Sequence, residues 1–198
     1  MKNTVIKVVI TTATIFATAG IYNLLTQHTP NSVAMDPGKQ IVYTPMGSKG
    51  FPKQITLDEK NCLIENVYHE ARGETRKGQE SIVYVVLNRS LSETRKYAST
   101  RNMCDIIKAP KAFSWVSDQV KPIDDQQAWQ QATMVVNKVL KYYSLKNSPV
   151  ADATHYVNKK TATTKAKWWK SKKMTVLANV GSHTFLKQKN EIISFNKA

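Results

Sequence analysis

The sequence contains neither an internal repeat nor a low-complexity tract long enough to suggest a disordered domain. Its 198 residues are enough for one domain with a full hydrophobic core and too few for two large domains. We therefore expect one folded domain with an N-terminal appendage.

Acidic residues are also scarce, because 14 Asp and Glu stand against 29 Lys and Arg, which gives a net charge of +15. An excess of this size favours a polyanionic partner, whether nucleic acid, anionic lipid or an acidic wall polymer. Charge alone does not choose among these three classes.

Cysteine occurs only twice, at Cys62 and Cys104. Two cysteines are compatible with one disulfide in an oxidising compartment, and the alternative is a pair of unrelated buried thiols.

The N-terminus has the pattern of an export signal. Lys2 and Lys7 precede an apolar stretch over residues 8–25, and Ala-Thr-Ala at 17–19 fits the small-x-small pattern that precedes cleavage. The stretch also has about the minimum length for spanning a bilayer, so a retained anchor is the alternative. We assign residues 1–26 as a signal peptide or N-terminal membrane anchor, which predicts a periplasmic or envelope location.

Prolines at 30, 37, 45 and 52 and little periodic apolar content predict a linker over residues 27–54. The folded domain is then expected over residues 55–198.

A helix is predicted to begin at a capping box formed by Thr56 and Glu59. Its apolar stripe consists of Leu63, Ile64, Val67, Tyr68 and Ala71. Glu70 falls at the border of this stripe, where a side chain that lines a cleft would lie. Gly73 suits a left-handed residue just past the helix end, and a second helix is predicted to begin near Gly78.

The remaining elements predict an α+β domain with helices first and a small antiparallel sheet late in the chain. A helix is expected over about residues 124–145, capped by Asp124 or Asp125. Two short strands are expected at 153–157 and 182–186, with a basic-aromatic loop at 165–170 between them.

Glu70 is the first candidate for a general acid, because partial burial beside Tyr68 and the aromatic loop would favour its protonated form. Neither Glu65 nor Glu74 is clearly directed at the same point, so a partner carboxylate is not predicted. One acid suffices for cleaving a glycosidic bond if a hydroxyl of the substrate is the nucleophile. The alternative is a solvated glutamate at a helix end.

The histidines His69, His155 and His183 raise the alternative of a zinc site that activates water. His69 is not followed by a second histidine at the spacing that places two ligands on one helix face. We therefore expect no metal and no cofactor.

Several aromatic side chains are suited to stacking on sugar rings, on bases of a single-stranded nucleic acid, or in the core. They are Phe113, Trp115, Tyr156, Trp168 and Trp169. The export signal argues against a nucleic-acid partner.

These features together resemble the SleB-like cell wall hydrolases, from about residue 61 to residue 187. The resemblance rests on Cys62, on Tyr-His-Glu-Ala-Arg-Gly-Glu at 68–74, and on blocks at 78–79, 86–89, 104–107, 113–115, 153–158 and 181–185, with Trp168 or Trp169. Lys167 and Leu186 depart from the family pattern, which puts the substrate preference in question more than the chemistry.

The resemblance implies a mostly helical, lysozyme-related α+β domain that cleaves peptidoglycan between N-acetylmuramic acid and N-acetylglucosamine as a lytic transglycosylase. We expect the protein to be a monomer. The resemblance implies that Glu70 is the catalytic acid and base, and that Arg72, Glu74, Asn88 and Arg89 fix the helix junction. The substrate-binding residues that it implies are Glu74, Asn88, Phe113, Trp115, His155 and Tyr156, the last four forming the cleft. The alternatives are a noncatalytic wall-binding envelope protein and a zinc-dependent amidase.

Overall fold

The computed structural model describes residues 42–43, 54–94, 97, 100–116, 122–159, 161–162 and 167–194. The signal peptide or anchor predicted for residues 1–26 lies outside these residues, as does most of the predicted linker. No helix in the described part of the chain is both long and apolar enough to cross a membrane.

The described residues form four α-helices between two groups of short strands. In chain order the elements are β1 (Val42–Tyr43), β2 (Ile55–Thr56), α1 (Leu57–Ala71), α2 (Arg76–Leu91), α3 (Met103–Lys108), α4 (Gln126–Tyr142), β3 (His155–Asn158), β4 (Met174–Val180) and β5 (His183–Gln188). The α+β class and the small late antiparallel sheet are as predicted.

Helix α1 begins at the predicted capping box. The Glu59 amide donates to the Thr56 hydroxyl, and the Thr56 amide donates to Oε2 of Glu59, both at 3.1 Å. Oε1 of Glu59 also accepts the Met103 amide at 3.1 Å, so the same carboxylate fixes the start of α3. Strand β1, which lies within the predicted linker, pairs antiparallel with β2.

The junction of α1 and α2 differs from the prediction for Gly73. Arg72, which follows the last residue of α1, keeps a right-handed helical backbone. Gly73 is not among the described residues with positive φ. The turn is instead closed by the Glu74 amide, which donates to the Ala71 carbonyl at 2.9 Å. Helix α2 begins before Gly78, because the Thr75 hydroxyl caps it by accepting the Gly78 amide at 3.3 Å.

Helix α2 is the centre of the core. Every residue from 81 to 91 is buried, and the helix packs against α1, α3, α4 and β4. A helix buried on all sides carries no polar face, so its period alone does not show which neighbour each side chain meets. Helix α4 is amphipathic by contrast, and Asp125 caps it by accepting the Ala128 amide at 2.9 Å.

The late sheet has the order β3-β5-β4, with antiparallel pairing throughout. Strands β3 and β5 correspond to the two predicted strands, whereas β4 was not predicted. Strand β4 lies at the edge of the sheet, and most of its side chains are at least partly exposed, so it has no apolar-polar alternation to mark it.

Cys62 on α1 and Cys104 on α3 form a disulfide with their Cα atoms 5.4 Å apart. The bond closes a loop with a sequence separation of 42 residues. Replacing both cysteines by alanine should lower the free energy of unfolding by about 4 kcal/mol, because the unfolded chain regains the entropy of that loop. Urea unfolding of the oxidised protein and of the double variant measures the difference, and a value below about 1 kcal/mol would contradict the expectation.

Candidate active site

A cleft of about 700 Å³ opens between the end of α1, the loop that follows α3, and the sheet. Its lining residues are Glu70, Arg89, Lys111, Ala112, Phe113, Ser114, His155, Tyr156, Val157, Asn158, Thr161, Trp168 and His183. Glu70 is the only carboxylic acid among these described lining residues. The cleft therefore combines one acid, two basic side chains and several aromatic rings.

Three donors hold the Glu70 carboxylate. The Ser114 amide and the Ser114 hydroxyl both donate to Oε1 at 3.1 Å, and the Tyr156 hydroxyl donates to Oε2 at 2.6 Å. The backbone amide is an obligate donor, so Oε1 is always an acceptor. Oε1 therefore accepts two hydrogen bonds, whereas Oε2 accepts one, from the Tyr156 hydroxyl.

The tyrosine in contact with Glu70 is Tyr156, not Tyr68 as the sequence suggested. Tyr68 is fully buried, and its hydroxyl donates to Asp124 at 2.8 Å. Burial, together with the Glu70 carboxylate, raises the pKa of Tyr156 well above that of an ordinary phenol. Tyr156 therefore keeps its proton and acts as a hydrogen-bond donor at neutral pH.

The loop that carries Ser114 is anchored by Trp115. The Trp115 indole N–H donates to Oδ1 of Asn66 at 2.9 Å, and the ring stacks on His69 with centroids 4.7 Å apart. Trp115 is not among the residues that line the cleft. Its ring faces α1 and holds the loop in place, and its contact with substrate stays a prediction.

Asn88 and Arg89, at the end of α2, fix the start of β3. The Asn88 amide donates to the carbonyls of Ala151 at 3.1 Å and Ala153 at 2.9 Å, and Nε of Arg89 donates to the Thr154 carbonyl at 2.7 Å. Asn88 is fully buried, so the prediction that it binds substrate is wrong. Its partners place His155 and Tyr156 at the cleft instead.

The Arg89 guanidinium forms part of the cleft floor. It lies 4.8 Å above the centre of the Phe113 ring, and Nη1 has no hydrogen-bond partner among the described residues. The sequence motif gave no sign of this role, because it shows a basic residue at a helix end without showing which ring lies beneath it.

Glu74 lies outside the cleft and joins the helix junction to the β4–β5 turn. Its carboxylate accepts the Ser182 hydroxyl and the Ser182 amide, and lies 3.5 Å from Nδ1 of His183. A Cβ at Gly78 would lie 2.9 Å from the Glu74 Cβ, and one at Gly181, where φ is +57°, would overlap the carboxylate. Glu74 therefore holds the helix junction against the β4–β5 turn, and its contact with substrate stays a prediction.

Phe113, His155 and Tyr156 line the cleft, as the sequence suggested. Phe113 is buried beneath the surface, and His155 lies 5.7 Å from the Trp168 ring. Trp168 is 44 % exposed and stands at the rim. Ser114 was missed as a site residue, although it lies between two aromatic residues that had been selected.

The three histidines considered as zinc ligands do not form a cluster. His69 stacks against Trp115, and His155 and His183 lie on β3 and β5. No group of three His, Cys, Asp or Glu side chains suited to hold a metal ion occurs in the part of the chain that the structure describes.

The chain matches the cell wall hydrolase family over residues 73–186. The match begins just after Glu70 and includes Glu74. Among curated proteins, a spore cortex-lytic enzyme of Halalkalibacterium halodurans is 31 % identical over 135 residues, which cover 68 % of this chain and 36 % of that protein. A spore cortex-lytic enzyme of Bacillus cereus is 27 % identical over 146 residues, which cover 72 % of this chain and 50 % of that protein.

The chain thus spans half or less of the length of these curated relatives. Two solved structures also resemble it, each with a TM-score of 0.49. The catalytic domain of the Bacillus cereus SleB protein is 26 % identical, over 72 % of this chain and 99 % of that domain. The catalytic domain of the germination-specific lytic transglycosylase SleB from Bacillus anthracis is 25 % identical, over 73 % of this chain and 100 % of that domain.

Stability should depend on pH through His69. Burial lowers the pKa of His69 below its ordinary value of 6.5, and its Nε2 is buried without a hydrogen-bond partner in the described residues. His69 therefore binds a proton more readily in the unfolded chain than in the folded one. Its contribution to the free energy of unfolding is fully present above pH 6.5 and is lost as the pH falls through the lowered pKa of His69 in the folded protein.

Unfolding free energies measured between pH 5 and pH 8 check this expectation. His69→Phe keeps a ring on Trp115 but cannot titrate, so its stability should fall less steeply below pH 6.5 than that of the wild type. Parallel curves for the two proteins would show that His69 does not contribute.

Proposed function

The chain belongs to the cell wall hydrolase family, and on that premise we propose that it cleaves the glycan strand of peptidoglycan with Glu70 as catalytic acid and base. The observation that carries the proposal is the single carboxylic acid in a cleft lined by aromatic rings, held by three hydrogen-bond donors. The site of cleavage is the bond between N-acetylmuramic acid and N-acetylglucosamine.

The first step is proton transfer from Oε2 of Glu70 to the glycosidic oxygen, while the bond from that oxygen to the anomeric carbon breaks. We assign this proton to Oε2, because Oε1 accepts both the amide and the hydroxyl of Ser114, whereas Oε2 accepts one hydrogen bond, from Tyr156. The Tyr156 hydroxyl then donates to the carboxylate that remains. Charge-assisted hydrogen bonds of this kind stabilise an anion more than neutral ones do.

The second step uses the same carboxylate as a base. With no second acid among the described lining residues, the nucleophile is a hydroxyl of the muramic sugar itself. Its oxygen bonds to the anomeric carbon, and its proton returns to Glu70, so no water is consumed. The product is an anhydromuramic end, as expected of a lytic transglycosylase.

Substrate binding follows from the rim and the charge of the cleft. The exposed Trp168 ring and the neighbouring His155 offer flat surfaces for sugar rings. Arg89 and Lys111 outnumber Glu70, so these three side chains give the cleft a net positive charge. This charge suits a polymer that carries carboxylates. The proposed location is the cell envelope, outside the cytoplasm, where this polymer is found.

Glu70→Gln removes the proton donor and nearly keeps its shape, so it should lower muropeptide release from purified sacculi by about 10²- to 10⁴-fold. Glu65→Gln, a change of the same kind on the same helix but outside the cleft, should retain wild-type release. Mass spectrometry of the digest should show products lighter by one water than hydrolysis products.

Full activity in Glu70→Gln with an unchanged unfolding midpoint would refute the assignment. A noncatalytic wall-binding protein would bind sacculi and release nothing even as the wild type. A zinc-dependent amidase would release free stem peptides and lose activity with a chelator.

Tyr156→Phe should lower the rate by about ten- to a hundredfold, because a hydrogen bond to a charged group contributes about 1.5–3 kcal/mol. Without this donor the carboxylate is less stabilised, so the pH–rate profile should move to higher pH. Tyr84→Phe removes a tyrosine hydroxyl elsewhere in the core and should leave the profile in place. An unmoved profile in Tyr156→Phe would assign Tyr156 a purely structural role.

A further inference from the structure

A second cleft, of about 280 Å³, lies at the α1–α2 junction and the start of α4. Its polar lining consists of Arg72, Glu74, Gln79, Asp125, Gln127 and Gln131. No aromatic side chain is among its described lining residues. The steps proposed for Glu70 make no use of this cleft.

Gln79 is the feature that points to a ligand. Its side chain is only 3 % exposed, and Oε1 has no hydrogen-bond partner among the described residues. A buried carbonyl oxygen that is left unpaired is destabilising, so such atoms in native proteins call for an explanation. A donor on a molecule bound in the cleft would satisfy this atom.

The two clefts are neighbours. Glu74 lines the second cleft and lies 3.5 Å from His183, which lines the first. Glu70 and Glu74 are four residues apart, so their Cα atoms are at most about 14 Å from each other. A polymer with one repeat unit at Glu70 therefore has its next groups within reach of the second cleft.

The lining chemistry of the second cleft suits a peptide better than a sugar. Aromatic rings, on which pyranose rings stack, are confined to the first cleft. The second offers side-chain amides that match peptide N–H and C=O groups, and charges of both signs at Arg72 and Asp125. Stem peptides of peptidoglycan carry carboxylates, an amino group and peptide bonds.

We propose that the second cleft binds the stem peptide attached to the glycan strand that lies in the first cleft, an inference that rests on the function proposed above. Oε1 of Gln79 accepts a peptide N–H, and the Gln131 amide makes a further hydrogen bond. Arg72 pairs with a carboxylate of the peptide. Substrate choice then depends on the peptide as well as on the sugar.

Binding can be tested without any cleavage, by NMR titration of the full chain with a synthetic stem tetrapeptide that contains one glutamate and one diamino acid. The side-chain amide signals of Gln79 and Gln131 should shift saturably. Gln131→Ala should raise the Kd by about two- to tenfold, the effect of one hydrogen bond. The matched control Gln130→Ala, at an exposed position outside the cleft on the same helix, should leave the Kd unchanged.

The second measurement is the ratio of release from peptide-bearing sacculi to release from glycan strands stripped of peptide. Gln131→Ala should lower this ratio relative to the wild type, and Gln130→Ala should not. Absence of saturable shifts at the two amides, or an unchanged Kd and ratio in Gln131→Ala, would overturn the proposal.

The two proposals fail separately. If Glu70→Gln still cleaves but the tetrapeptide shifts the amide signals of Gln79 saturably, the catalytic assignment is wrong and the peptide-binding proposal stands. If Glu70→Gln is inactive and the tetrapeptide shifts neither amide, the peptide cleft falls and the catalytic assignment stands.

Discussion

The hydrogen bond between Tyr156 and Glu70 connects the helical part of the chain to the sheet across a sequence separation of 86 residues. It brings the Tyr156 hydroxyl on β3 within 2.6 Å of the Glu70 carboxylate in the last turn of α1, and further hydrogen bonds hold each of these two side chains in place. Ser114 fixes the far oxygen of the carboxylate, while Asn88 and Arg89 fix the start of β3. The shape of the cleft thus depends on the relative positions of segments that are remote in sequence.

Buried polar side chains fix these relative positions. Glu59, Asn88 and Arg89 each bind backbone groups of a distant segment from inside the core. Apolar packing tolerates small shifts, whereas a buried donor must meet its acceptor or bear the cost of desolvation. Loops tied in this way have one favoured position, which a site with reacting groups requires.

Local signals in the sequence were enough to locate α1 and α4, whereas the short helix α3 was not predicted. The Thr56–Glu59 capping box and the apolar stripe predicted α1, and a capping aspartate with a periodic apolar face predicted α4. The resemblance implied substrate contacts for Asn88 and Trp115 without showing their partners in this chain, which are backbone carbonyls for Asn88 and the side chains of α1 for Trp115. Strand β4 was missed because an edge strand buries little, and Gly73 was misread because a hydrogen bond closes its turn without a left-handed residue.

The packing of Glu74 between two glycines has a consequence for related sequences. A side chain at Gly78 would meet the Glu74 Cβ, and one at Gly181, which also has a left-handed backbone, would meet the Glu74 carboxylate. A shorter residue at position 74 would free space beside Gly181 and leave the Ser182 amide without its acceptor, whereas its Cβ would still crowd Gly78. Positions 74 and 181, more than a hundred residues apart along the chain, are therefore constrained by one carboxylate, whereas Gly78 is constrained by the Cβ that any residue other than glycine carries at position 74.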